Sequence, residues 1–164
     1  MKVRAYVLIV LVALLVMSAG TKKATLTEGY NPGDIAPRIE FLENRSDFEF
    51  QNHNGRYTLI HFWAAYDAES RARNVLLWNK VNKMNSDRIA MFSISLDEKE
   101  SVYKETVKAD DLERTNQFYD ERGEQSELFR KYGLKKGFRN FLIDDKGVIV
   151  AANITPEELS KVIN

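Results

Sequence analysis

Asp67 and Ser70 stand three residues apart in the stretch His61-Phe62-Trp63-Ala64-Ala65-Tyr66-Asp67-Ala68-Glu69-Ser70-Arg71, where an apolar run gives way to a predicted helix. A carboxylate at such a junction can do one of two things. It can accept backbone N–H groups of the first helical turn as an N-cap, or it can act as a general acid or base once burial raises its proton affinity. The two demands conflict, because helix donors lower that affinity, and the strong preference of aspartate for N-caps favours the first. Ser70 has no neighbouring histidine in the sequence to act as its base, which argues against a serine nucleophile. The 164 residues include no cysteine, so thiol–disulfide exchange, which needs a thiolate, is excluded. His53 in a polar loop and His61 within a strand lack the paired spacing of a zinc site. There is no Gly-rich phosphate loop, and neither a metal nor a cofactor is expected.

The elements that would position Asp67 and Ser70 are legible from periodicity. Tyr57 to Trp63 is a nearly continuous apolar, β-prone run, the pattern of a strand buried on both faces. From Ala68 to Asn85 the residues Ala68, Ala72, Val75, Leu76, Val81 and Met84 recur at helical spacing and predict the buried stripe of a long amphipathic helix. Arg88 to Leu96 reads as a second strand. Asp97 with Glu100 three residues on resembles a capping box, and Val102 to Ala109 would continue that helix. Ser126 to Lys131 reads as a short helix with Gly133 past its end. Asn140–Asp144 and Val148–Ala152, separated by Asp145-Lys146-Gly147, predict a hairpin. Thr155-Pro156-Glu157-Glu158 opens a last helix with an N-cap, proline at the first helical position and glutamate at the third. Upstream, Arg38 to Phe41 and Asp47 to Gln51 are weaker strand candidates, the latter followed by the turn signal Asn54-Gly55.

Ahead of these elements, Lys2 and Arg4, the apolar run Ala5 to Met17 and the small residues Ser18, Ala19 and Gly20 have the form of an export signal. Residues 1–20 are read as a signal peptide or an uncleaved signal anchor, residues 21–32 as a flexible polar lead-in, and residues 33–164 as one folded domain. Lys+Arg and Asp+Glu are equal at 24 each. Without Lys2 and Arg4 the remainder carries 22 basic against 24 acidic residues, which excludes the basic excess of a nucleic-acid binder. The expected location is the periplasm, either soluble after cleavage or held at the inner membrane through residues 5–20.

Gly33-Asp34-Ile35-Ala36-Pro37, the Phe62–Arg71 segment, and the register Tyr132-Gly133…Phe141-Leu142-Ile143-Asp144…Gly147…Ile149-Val150 together resemble the TlpA/ResA-like thiol-disulfide oxidoreductases of the thioredoxin-like superfamily over about 130 residues. The resemblance implies an α/β fold, a central mixed sheet flanked by helices on both faces. It also places Asp67 and Ser70 where that family carries its cysteines, and Phe138 where it carries a cis-proline. No proline lies near enough to restore that feature, and a trans peptide is expected there. The resemblance further gathers Trp63, Tyr66, Phe138, Arg71 and Arg139 around one groove, an aromatic surface edged by guanidinium groups of the kind enriched at binding hot spots. The expected function is redox-inactive binding of an envelope protein or extended peptide through that groove. Two rivals remain: a structural subunit with the groove packed shut, and an enzyme using Asp67 as acid or base.

Overall fold

The computed structural model describes residues 26–40, 55–84, 86–112 and 116–163. The apolar run becomes strand β1 (Tyr57–Trp63), followed by helix α1 (Ala68–Met84), strand β2 (Ile89–Ser95) and helix α2 (Glu100–Ala109). Next come strand β3 (Gln117–Tyr119), helix α3 (Glu127–Lys131), strands β4 (Asn140–Ile143) and β5 (Ile149–Ala152), and helix α4 (Pro156–Ile163). The five strands form one sheet in the order β3-β2-β1-β4-β5. β1 pairs in parallel with β2 and antiparallel with β4, so the sheet is mixed, and the β4–β5 hairpin closes one side. This is the thioredoxin-like arrangement.

Burying β1 on both faces follows from its central position. Ile60 and Phe62 point into a cluster with Phe92, Ile94, Phe141 and the α3 residues Leu128 and Phe129. Leu59 points the other way, with Met91 and Leu142, toward Leu77 and Val81 of α1 and Leu159 and Ile163 of α4. Trp63, also fully buried, joins Val107 and Leu112 in a third cluster. At about 25 cal/mol per Å² of buried apolar surface, such side chains carry most of the driving force for folding.

Several local expectations are corrected. The buried face of α1 is Ser70, Asn74, Leu77 and Val81; Ala68 and Ala72 are exposed, and Leu76 is 58% exposed. The reason lies beneath the helix. Its first two turns cover a polar row of the sheet, where Ser93 Oγ donates to Asn74 Oδ1 at 2.6 Å and Asn74 Nδ2 donates to Gln117 Oε1 at 3.1 Å. Asp97 does not cap α2, whose N-cap Lys99 makes no side-chain bond. β3 has no counterpart in the sequence reading, because a three-residue edge strand offers no alternation to detect. Arg38 and Ile39 are not strand residues: the pairing is made earlier, where Ile35 bridges Glu28 and Val148, and Pro37 lacks an N–H to extend it. Asp47–Gln51 lies outside the described residues, as does the signal segment.

The structured chain begins before Gly33. Ile35 N donates to Thr27 O at 2.9 Å and Gly33 N to Ile149 O at 2.8 Å. Tyr30 packs on the first cluster. Gly133, at φ +64°, ends α3 in the left-handed conformation, and a Cβ there would lie 2.8 Å from the Tyr30 ring. The hairpin turn and the last helix follow expectation: Gly147 sits at φ +80°, and Thr155 and Glu158 cap one another reciprocally at 2.9 and 3.3 Å. Among the described residues no helix is long and apolar enough to cross a membrane.

Candidate functional site

The loops at the carboxyl end of the sheet meet at the β1–α1 junction, the place where open α/β sheets put their sites. Asp67 is the N-cap of α1, its Oδ1 accepting the Ser70 N–H at 2.7 Å. Ser70 is buried; its Oγ accepts from Ala64 N at 3.3 Å and donates to Asp67 O at 3.2 Å. His61 lies directly beneath, but its Nε2 is 2.9 Å from the Ser70 carbonyl oxygen, not from the hydroxyl. The arrangement is therefore not a serine–histidine nucleophile pair. Complete burial is the main reason the His61 imidazole has its pKa lowered to about 4. That it would stand beneath Ser70 was foreshadowed by alternation in β1, which puts Leu59, His61 and Trp63 on one face.

Tyr66 is held out by its neighbours. Both carboxylate oxygens of buried Asp97 accept the Ala65 N–H, at 2.9 and 3.0 Å, while Ser95 Oγ donates to Asp97 at 2.7 Å. On the other side Asp67 N donates to Ala64 O at 3.1 Å. With the backbone fixed at both ends, the Tyr66 side chain remains 62% exposed. Its ring centroid lies 6.1 Å from that of Phe138, and Phe138 stands edge-on to Phe129 at 6.5 Å. No cis peptide occurs among the described residues, Phe138 included. The three rings, brought from three separate segments, line an open cleft of about 1170 Å³ with Glu124, Arg130 and Lys135 at its rim.

Of the five residues expected around the groove, Tyr66 and Phe138 are brought together, Trp63 and Arg71 are used elsewhere, and Arg139 does not line the cleft. Trp63 is fully buried against Val107 and Leu112, because it continues the alternation of β1 into the space under α2. Arg71 turns away to Asp110, donating from Nε and Nη2 at 2.7 Å each; this planar fork matches a carboxylate better than any contact available in the groove. Arg139 is half-buried and contributes its carbonyl, which accepts Phe62 N at 2.9 Å. Phe129 and Glu124 were missed by sequence reasoning. Phe129 follows the capped start of α3, where Ser126 Oγ accepts Leu128 N, and only the fold carries that helix to the groove. Among the described residues no three His, Asp or Glu side chains converge as metal ligands would.

No family model and no curated protein matches the chain. Solved structures do. A thioredoxin-like protein from Parabacteroides distasonis is 61% identical, with a TM-score of 0.79 over 85% of this chain and 98% of that one. The chain belongs to the thioredoxin-like family. Within it, the C-terminal domain of a protein assigned as a thiol-disulfide oxidoreductase of Bacteroides thetaiotaomicron is 31% identical, with a TM-score of 0.60 over 72% of this chain and 78% of that one. A thiol-disulfide oxidoreductase from Bacteroides fragilis is 27% identical, with a TM-score of 0.59 over 68% and 82%. This thioredoxin-like chain keeps the fold of the oxidoreductases without their sulfur chemistry, since it has no cysteine.

Proposed function

We propose that this protein is a redox-inactive, thioredoxin-like protein of the cell envelope that holds a segment of a partner protein in the groove beside Tyr66. The observation that carries the reading is an aromatic side chain left 62% exposed on a backbone fixed at both ends. A tyrosine whose surroundings are already ordered loses little conformational freedom on binding, and aromatic residues in such settings anchor interfaces. The open cleft favours a binding groove over a packed structural patch. Asp67 as acid or base is disfavoured because its carboxylate is already engaged as the N-cap of α1, Oδ1 accepting the Ser70 N–H. Export rests on residues 1–20 and on the family.

The test is capture from envelope extract, comparing wild type with Tyr66→Ala/Phe138→Ala and rebuilding any retained complex from purified components. A protein held by wild type and lost by the double variant supports the groove. Equal retention by both, with the variant folded, would move the partner surface elsewhere and favour the structural-subunit reading.

A further inference from the structure

Tyr66 divides two clefts. Opposite Phe138, its ring joins Leu96 and Val102 in lining a second cleft of about 410 Å³. Val102 is 40% exposed, so aromatic and aliphatic surface lie side by side. Past Glu98 the surface continues into a cleft of about 940 Å³ that runs along Tyr119. Tyr119 stacks on Tyr103 at 5.3 Å between ring centroids. The path therefore carries aliphatic surface at one end and a tyrosine face in each cleft, Tyr66 and Tyr119.

Its charge is one-sided. Glu98, Glu100, Glu121 and Glu124 line these clefts, and the cations there are Lys99 and Arg122. Arg122 is committed to Asp120, with Nε to Oδ1 at 2.9 Å and Nη2 to Oδ2 at 3.0 Å, and Glu100 is shared with Lys104 at 2.9 Å. Among the described residues Glu98, Glu121 and Glu124 have no cationic partner. The phenols report the same field: after burial, Glu124 and Asp97 raise the pKa of Tyr66, and Glu121 and Glu100 that of Tyr119.

We infer that this second cleft and its continuation along Tyr119 receive a basic, extended segment of a partner protein, with an aliphatic side chain on Tyr66 and Val102 and Lys or Arg side chains among Glu98 and Glu124 in the one and Glu121 in the other. The inference rests on the groove reading and narrows it. Charge complementarity selects the occupant, because a carboxylate-lined path repels acidic segments, and tyrosine faces add cation–π attraction to lysine or arginine.

Three short labelled peptides test it against the full chain by fluorescence anisotropy: Val/Leu alternating with Lys/Arg, the same with Glu, and the same with Ser. The basic peptide should bind at least about tenfold more tightly than the other two and weaken as salt is raised. Glu98→Lys/Glu124→Lys should abolish that preference, whereas Lys135→Glu, on the far side of Tyr66, should leave it. Circular dichroism checks that each variant folds, and Glu121→Gln provides a milder second substitution that should reduce the preference. Tyr66-dependent binding of all three peptides alike would overturn the inference and leave the groove reading standing. Absence of binding by any peptide would overturn both.

Discussion

The carboxylate of Asp67 and the imidazole of His61 stand on either side of Ser70, and each makes a different demand on the solvent. Asp67 is an ordinary cap, so Asp67→Ala should cost about 0.5–2 kcal/mol in denaturant unfolding and Asp67→Asn should be nearly neutral. His61 is the group that senses pH. Its folded pKa, about 4 against the usual 6.5, is lowered by burial; between those values the unfolded chain binds the proton and the folded chain does not. Stability contributed by neutral His61 is thus complete above about pH 6.5 and falls as the pH drops toward 4, by about 3 kcal/mol in all. Urea midpoints recorded across that interval should show the slope in wild type and lose it in His61→Phe. Residue types alone made the cap at Asp67 legible. They did not reveal the role of Arg71, because its partner Asp110 lies 39 positions away and charge-pairing at that distance leaves no local pattern.

At the scale of elements, α1 shows how a helix can be recognised correctly and oriented only in part. Spacing found its extent and placed Val81 on the buried side, but Ser70 and Asn74 hold that side for the first two turns while Ala68, Ala72 and Leu76 face solvent. Leu77→Ala should therefore cost about 2–5 kcal/mol, a core truncation, while Leu76→Ala should change stability by no more than about 0.5 kcal/mol. The same denaturation experiment on the adjacent pair decides which face is inward. A second element-level expectation concerns Gly133, where the end of α3 meets Tyr30. Gly133→Ala adds a Cβ both to a left-handed backbone and against the ring at 2.8 Å, and unfolding should become easier by about 1–3 kcal/mol. The capping box of α4 and the hairpin were legible because their signals are local. The edge strand β3 was not, its three residues being specified by pairing with Ser93–Ser95 of β2.

For the molecule as a whole, the fold survives the loss of the chemistry its family is named for. Full-length protein should fail to reduce insulin disulfides and should show no uptake of a thiol-specific alkylating reagent by mass spectrometry, because the chain has no thiol. Restoring the pair with Asp67→Cys/Ser70→Cys should yield at most weak turnover. The helix would lose its cap, Ser70 would give up both bonds of its hydroxyl, and Phe138 would still fill the facing loop. Sustained insulin reduction by the double variant, at the rate of a cysteine-bearing relative, would show that the groove has remained competent for exchange. From β1 to α4 the order of elements was readable apart from β3, because buried strands and amphipathic helices announce themselves locally. The boundary near Gly33 was not, because residues 27–33 carry no periodic pattern and are ordered by contacts distant in sequence, Gly33 with Ile149 and Tyr30 with the first core cluster.

The polar row under the first turns of α1 has a consequence for how reproducibly the chain arrives at one structure. Hydrocarbon against hydrocarbon tolerates sliding, since one greasy contact substitutes for another. Asn74 between Ser93 and Gln117, and His61 against the Ser70 carbonyl, do not, because each has a single correct counterpart and is costly when stranded away from water. Moving α1 one turn along the sheet would strand all of them at once. The row acts as a key cut for one lock position, and the position it enforces is the one that holds Tyr66 over its groove.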